Sequence, residues 1–402
     1  MSKFRTSKFA SACLGAMLFL GTTAPAFAEE ALAAPAADAG HLFNFSGELT
    51  VDGIAILQGG AGHRVRELDL LSLGVSADFS KIGWTGGSGQ LTFQNSSGAQ
   101  PNIDLGTLEG VSNAEVVSRR GRLFEGWLQQ DFGNDKGSIQ AGLINFNADF
   151  DVTDSAGLLI APTYGIESEL AASGPGGPPS YPTSSLGARL AFKPTKNTYL
   201  MVGAFNATLG AFGDPGGVDT AFDQGVFEVI EGGWKADGNK IGVAGWRYSK
   251  KQDDLFDTVG GVPVQRTPSG AYVIAERVLL DGGDKGASFT GFLRAGFSDG
   301  NTGPLKSDWQ FGGLLTHVFA SRPDSQFSFG VDQASLGNKF RKASASGGTP
   351  LGSTETHLEV TYADSIGKHV VIQPDLQYIL DPGGDKAAKS ELVFQLRLKG
   401  SF

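Results

Sequence analysis

The chain has little of what most metal, redox and nucleic-acid sites are built from. In 402 residues there is one cysteine, Cys13, and only five histidines. A lone cysteine forms no internal disulfide. Cys13 lies inside an apolar stretch, not after one, so it reads as filler and not as a lipid anchor. His41, His63, His317, His357 and His369 are scattered, and none stands at metal-ligand spacing. Nothing in the sequence calls for a cofactor. No run of 18 apolar residues occurs and the mean hydropathy is −0.08, which excludes a helical membrane protein. Basic charge is also short. Lys and Arg number 32 against 42 Asp and Glu, a net charge of −10. A phosphate backbone needs a basic face, so a nucleic-acid partner is excluded.

What is abundant is glycine, 59 residues without a collagen-like period, and phenylalanine, 28 residues. The start reads as a secretory signal over residues 1–28. Lys3, Arg5 and Lys8 precede a short apolar run, and Ala26-Phe27-Ala28 forms a small-x-small cleavage site. Its removal takes three basic and no acidic residues, and moves the net charge from −10 to −13. Residues 29–44 are expected to be a flexible lead-in on the periplasmic side. Residues 45–402 form one domain, since no linker divides them.

The end of the chain sets the pattern. In Glu391–Phe402, Leu392, Phe394, Leu396, Leu398 and Phe402 fall on one face, and Val393, Gln395, Arg397, Lys399 and Ser401 on the other. Such period-two alternation marks a strand. The run has about the 9–11 residues with which a tilted strand crosses a bilayer, and its final aromatic suits an interfacial girdle. In 369–380 the even positions Val370, Ile372, Leu376, Tyr378 and Leu380 are apolar, and the odd ones carry Gln373, Asp375 and Gln377. Pro374 has no N–H and belongs at a bulge or an unpaired position.

Sixteen such segments can be marked: 45–57, 68–79, 90–95, 122–132, 137–146, 185–192, 198–206, 225–235, 240–248, 271–280, 287–297, 308–319, 326–335, 355–363, 369–380 and 390–402. The links alternate. Those after even segments are short and turn-like, such as Gly133-Asn-Asp-Lys136 and Ala236-Asp-Gly-Asn239. Most after odd segments are long: 96–121, 147–184, 207–224, 249–270 and 336–354. Periplasmic turns and extracellular loops produce this rhythm. The expected fold is therefore all-β, a transmembrane antiparallel barrel of about sixteen strands with a long third extracellular loop. Sixteen strands leave an aqueous channel. The length is too small for a gated transporter of about 22 strands around a plug.

Ile372-Gln-Pro-Asp-Leu-Gln-Tyr-Ile-Leu-Asp-Pro-Gly-Gly-Asp385, followed by the strand ending in Phe402, resembles the carbohydrate-selective porins of the OprB type. Gly83-Trp-Thr-Gly-Gly87, Leu123–Phe132 and Ser180-Tyr-Pro-Thr-Ser-Ser-Leu-Gly187 agree with it. The resemblance implies an outer-membrane channel of a Gram-negative bacterium, for passive diffusion of sugars such as glucose. It also implies a third loop folded into the lumen. The barrel would sit in outer-membrane lipid, as a monomer or a homotrimer. A general or anion-leaning pore is the main alternative; a barrel enzyme or an adhesin is further off.

Parity supplies candidate lumen residues. With Leu186, Ala188, Leu190 and Phe192 facing out, Arg189 faces in; with Phe289, Leu293 and Phe297 out, Arg294 faces in. With Phe124, Leu128 and Phe132 out, Glu125, Trp127, Gln129 and Asp131 face the lumen. Arg122 is expected at the rim with Arg119 and Arg120, and Arg64, Arg66 and Glu67 in or beside the first loop. Sugars present hydroxyls over apolar C–H faces. They suit the donor fork of Arg, the acceptors of Glu and Asp, and an aromatic ring. The resemblance implies a sugar track using Arg64, Arg66, Glu67, Glu125, Trp127, Arg189, and Glu167 and Glu169 of the long loop.

Overall fold

A computed structural model describes residues 41–402 apart from 61, 63, 117, 118, 135, 284 and 285. The signal segment 1–28 and most of the lead-in lie outside the described residues. Sixteen antiparallel strands close into a barrel: β1 (Phe43–Gln58), β2 (Arg64–Asp78), β3 (Gly87–Gly98), β4 (Arg120–Phe132), β5 (Gly137–Ile144), β6 (Ser185–Thr195), β7 (Thr198–Asn206), β8 (Val226–Ala236), β9 (Asn239–Tyr248), β12 (Ser269–Leu280), β13 (Ser288–Ser298), β14 (Leu305–Thr316), β15 (Gln326–Leu336), β16 (Thr354–Ile366), β17 (Val370–Leu380) and β18 (Glu391–Ser401). Each answers one of the sixteen expected segments. Two further strands, β10 (Gln252–Val259) and β11 (Val262–Arg266), were not expected. They form a separate hairpin in the loop between β9 and β12.

Alternation explains the closure. Along β18, Val393, Gln395 and Arg397 are buried and Phe394 and Leu398 exposed, so the polar face looks inward and the apolar face outward. The strand pairs with β17 on one side and with β1 on the other, in a register running from Glu48↔Ser401 to Gln58↔Leu392. Phe402 exchanges two backbone hydrogen bonds of 3.0 Å with Gly47, and its ring covers that glycine. A Cβ on residue 47 would stand 2.4 Å from the ring, so any larger residue there would push the ring aside. Pro374 pairs with Leu396 of β18 and stands unpaired toward β16, between the pairs Thr361↔Asp375 and Asp364↔Ile372. Exposed aromatics gather at the periplasmic strand ends, among them Trp84, Phe132, Phe192, Trp234, Phe327 and Phe402, where an interfacial girdle belongs.

One parity expectation is corrected. The β3–β4 register shifts between Thr92↔Glu125 and Phe93↔Leu123, which leaves Phe124 as the extra residue of a bulge. Phe124 therefore turns inward against Tyr181, with ring centroids 6.2 Å apart, instead of facing lipid. The same shift carries Arg122 into the wall, fully buried, and not to the rim.

Candidate functional site

The lumen is divided by its own loops. Loop 3, residues 145–184 between β5 and β6, lies inside the barrel, where Phe146, Phe150, Ile160, Tyr164 and Leu170 are fully buried. Loop 2, residues 99–119 between β3 and β4, also turns inward; Val111 and Ser112 are buried there. The two loops meet where Asn113 N–H donates to the Ile160 carbonyl at 3.0 Å and Tyr181 Oη donates to the Ala114 carbonyl at 2.7 Å.

Carboxylates of the wall hold the loop backbones. Glu231 of β8 accepts from the Asp151 N–H at 3.0 Å, and Glu276 of β12 from the Ser155 N–H at 2.7 Å. Asp308 of β14 accepts from the Ser168 N–H at 3.0 Å. Glu359 of β16 accepts from Ile160 and Ala161, and its neighbour Glu355 from Leu108 and Glu109 of loop 2. A buried loop must find partners for its polar backbone, and a lumen-facing acid every few strands supplies them. Arg294 closes the arrangement. Its guanidinium reaches Asp151 at 2.8 Å and Glu167 at 3.2 Å, with all three side chains fully buried. Burial pushes the carboxyls of Glu167 and Glu169 well above the usual carboxylate range; the Arg294 charge opposes this at Glu167.

The opposite side stays open. A cavity of about 210 Å³ lies between loops 2 and 3 and the wall made by β18, β1, β2, β3 and β4. Glu48, Thr50, Ser72, Thr92, Gln94, Glu125, Arg397 and Lys399 line the wall side, with the Phe124 ring. Asn113, Asn145, Asn147, Thr153 and the Tyr181 ring line the loop side. Arg397 is fixed by a bidentate pair with Asp52, both contacts 2.8 Å, and donates to Asn113 Oδ1 at 2.7 Å. Arg122 sits beside the cavity, 5.4 Å from the centre of the Tyr181 ring, and donates to Gln94 and Ser96. Fixed donors, acceptors and two aromatic rings thus converge on one cavity, the lane.

Few of the residues expected from the sequence meet there. Glu125 lines the lane and Arg122 borders it. Trp127 is half-buried and packs against the apolar cluster of Phe146, Phe205 and Phe227. Arg189 is buried below loop 3, 3.1 Å from Asp149 and hydrogen-bonded to Ser138 and Gln129. Arg294 and Glu167 form the buried pair already described, and Glu169 lies beside Gly296 and Asp308. Arg64, Arg66 and Glu67 belong to β2, which starts four residues earlier than expected. Arg66 pairs with Asp104 of loop 2, Arg64 is exposed, and Glu67 faces outward opposite Gly53. Arg397 and Lys399 were legible on the polar face of the last strand but were not taken as site residues. Asn113 came with no signal, because loop residues carry no parity; Tyr181 lies in the family-like stretch Ser180–Gly187 but was not taken as a site residue.

A sixteen-stranded barrel with a lane narrowed by inward loops is the architecture of a diffusion porin. The sequence pattern of the carbohydrate-selective porins, OprB family, matches residues 62–402, and the chain belongs to that family. Porin B of Pseudomonas aeruginosa is 24% identical over 385 residues, which cover 84% of this chain and 82% of that protein. A high-pH structure of Pseudomonas putida OprB superposes with a TM-score of 0.80 at 21% identity, over 90% of this chain and 94% of that one. An anion-selective porin from Comamonas acidovorans reaches 0.54 at 11% identity, over 90% and 99% of the two chains. The protein is an outer-membrane channel for the passive diffusion of carbohydrates. Family and fold are those of a channel and not of an enzyme.

Proposed function

We propose that the lane along β18 and β1–β4 is the sugar path, and that it favours small neutral sugars such as glucose. The observation that carries this is the make-up of one cavity. Arg397, hydrogen-bonded to Asn113, and Lys399 line it together with Asn145 and Asn147, with Glu48 and Glu125 as acceptors and the Phe124 and Tyr181 rings as apolar faces. Hydroxyls can both donate and accept, so mixed walls of this kind match them better than a lane of one charge sign. A channel must also release its solute. A millimolar constant corresponds to about −4 kcal/mol, which a few hydrogen bonds and one ring contact supply. The chain is exported by its signal segment and works in outer-membrane lipid, as a monomer or a homotrimer.

The test is ion conductance across a planar bilayer with increasing glucose. The expected result is a saturable block that weakens in Tyr181→Ala. A current that sugars leave untouched at every concentration would instead favour the general, anion-leaning pore that Arg397 and Lys399 would also suit.

A further inference from the structure

The packed side of the lumen holds more buried acid than its cations can balance. Glu109 of loop 2 lies within hydrogen-bond reach of Asp332 of β15, and Glu169 of loop 3 within reach of Asp308 of β14. All four side chains are buried. Neither oxygen of Glu169 meets a donor from any other described residue, Oε2 of Glu109 meets none, and the donor beside Asp332 is the neutral hydroxyl of Thr163. The Glu169 carboxylate lies so close over Gly296 that a Cβ there would be 2.2 Å from it, so it cannot swing away toward β13. Asp308 already accepts from Gly296, Ser168 and Gln310, all of them neutral donors. Two buried acceptors facing each other need a proton between them, because like charges at that range cannot both ionise.

The surroundings offer no other balance. Arg294 of β13 is engaged by Asp151 and Glu167 of loop 3. Glu355 and Glu359 of β16 and Asp375 of β17 add further buried acids and no cation, and Tyr164 of loop 3 adds a neutral hydroxyl. His357 of β16 stands with its ring 6.3 Å from Tyr164 and beside Gln377. Among the described residues no three such groups converge as metal ligands.

We propose that loops 2 and 3 are latched to the barrel wall by proton-sharing carboxyl pairs, Glu109 with Asp332 and Glu169 with Asp308, and that the latch loosens as pH rises. The latched form holds protons that the loosened form gives up. Its stability is therefore complete below the ordinary carboxylate range, and declines as pH climbs above it. The occupant of each pair is a proton. A divalent cation there would give the opposite response to chelation.

The test is single-channel conductance of the mature barrel between about pH 5 and about pH 9, where each proton released shifts the latched-to-loosened ratio by up to about tenfold per pH unit. The parent should show larger or noisier open levels as pH rises. The double variant Asp332→Asn, Glu169→Gln supplies N–H donors that need no proton, and should flatten that rise. A parent that is flat with pH overturns the proposal, as does a double variant that keeps the parent's rise. So does a chelator that reproduces the rise at constant pH, or a His357→Gln variant that abolishes it. Infrared spectroscopy of the parent gives a readout independent of the variants' assembly. A protonated-carboxyl band at neutral pH that shrinks as pH is raised supports the latch; its absence contradicts it.

Discussion

Two halves of one lumen, built by the same alternation, have opposite fates. Under β8 to β17 the inward positions carry Glu231, Glu276, Asp308, Asp332, Glu355, Glu359 and Asp375, and loops 2 and 3 fill the space in front of them. Along β18 and β1–β4 the inward positions carry Thr50, Ser72, Thr92, Gln94, Arg397 and Lys399, with the acids Glu48, Asp52 and Glu125 fewer among them, and a cavity remains. The difference lies in what each wall offers to a backbone. Carboxylates accept N–H groups, so a wall rich in them captures a loop. Here short hydroxyls and long cations outnumber the acids, and Asp52 is taken up by Arg397, so fewer carboxylates are left to hold the loop backbones. The choice of inward residue, strand by strand, thus decides where the lane runs.

The largest effect is expected from the packed half. Arg294→Ala would leave Asp151 and Glu167 buried without their cation, and breaking a buried pair costs about 3–5 kcal/mol. Loop 3 should detach locally, conductance should rise and protease should cut near residues 151–167, while the barrel stays folded. Cleavage and conductance like the parent's would show that Arg294 does not hold the loop.

Next in size is Phe402→Ser. It removes the ring that covers Gly47 at the seam where β18 meets β1. The level of barrel in the outer membrane should fall, with an unchanged conductance for the molecules that do insert. A smaller effect is expected from Glu359→Ala, which strands the N–H groups of Ile160 and Ala161. Unpaired buried groups of this kind cost about 1–3 kcal/mol each, to be read as faster amide exchange confined to that stretch of loop 3. Arg189→Ala should likewise loosen loop 3 around Asp149, and change sugar block only through that movement.

The smallest effect lies outside the barrel. In the β10–β11 hairpin, burial of Asp254 works against its charge. Lys339, the Phe256 and Asp257 N–H groups and Arg266 outweigh this, and hold the carboxyl below its ordinary value. Their contribution is present at neutral pH and is lost only as pH falls through that lowered value. Asp254→Asn should free the hairpin from the helix Asn338–Ser346 without altering conductance. A large change in conductance would place the hairpin in the path.

How far the sequence revealed this follows from where parity applies. Every barrel strand was legible, because one face meets lipid and the other does not. Arg189, Arg294 and Glu125 were assigned inward, where the barrel has them, and Arg397 was placed on the polar face of the last strand. Phe124 was not, since one extra residue in a bulge reverses parity without changing composition. The docking of loop 2 was invisible as well. It rests on backbone N–H groups of Leu108 and Glu109 meeting Glu355, and backbone groups leave no mark in a sequence. Glu167 and Glu169 were recognised as acids of the long loop, but only the fold shows them turned toward Arg294 and Asp308 and away from the lane.

The comparison of the two halves rests on solute passing along the β18–β4 wall. The direct measurement is glucose block of ion current in the parent beside Tyr181→Ala and Lys399→Ala, both on the lane, and Glu276→Gln, on the packed wall. The account predicts weaker block in the two lane variants, a shift toward cations in Lys399→Ala, and a parent-like block in Glu276→Gln. Equal block in all four proteins, or a loss confined to Glu276→Gln, would contradict it.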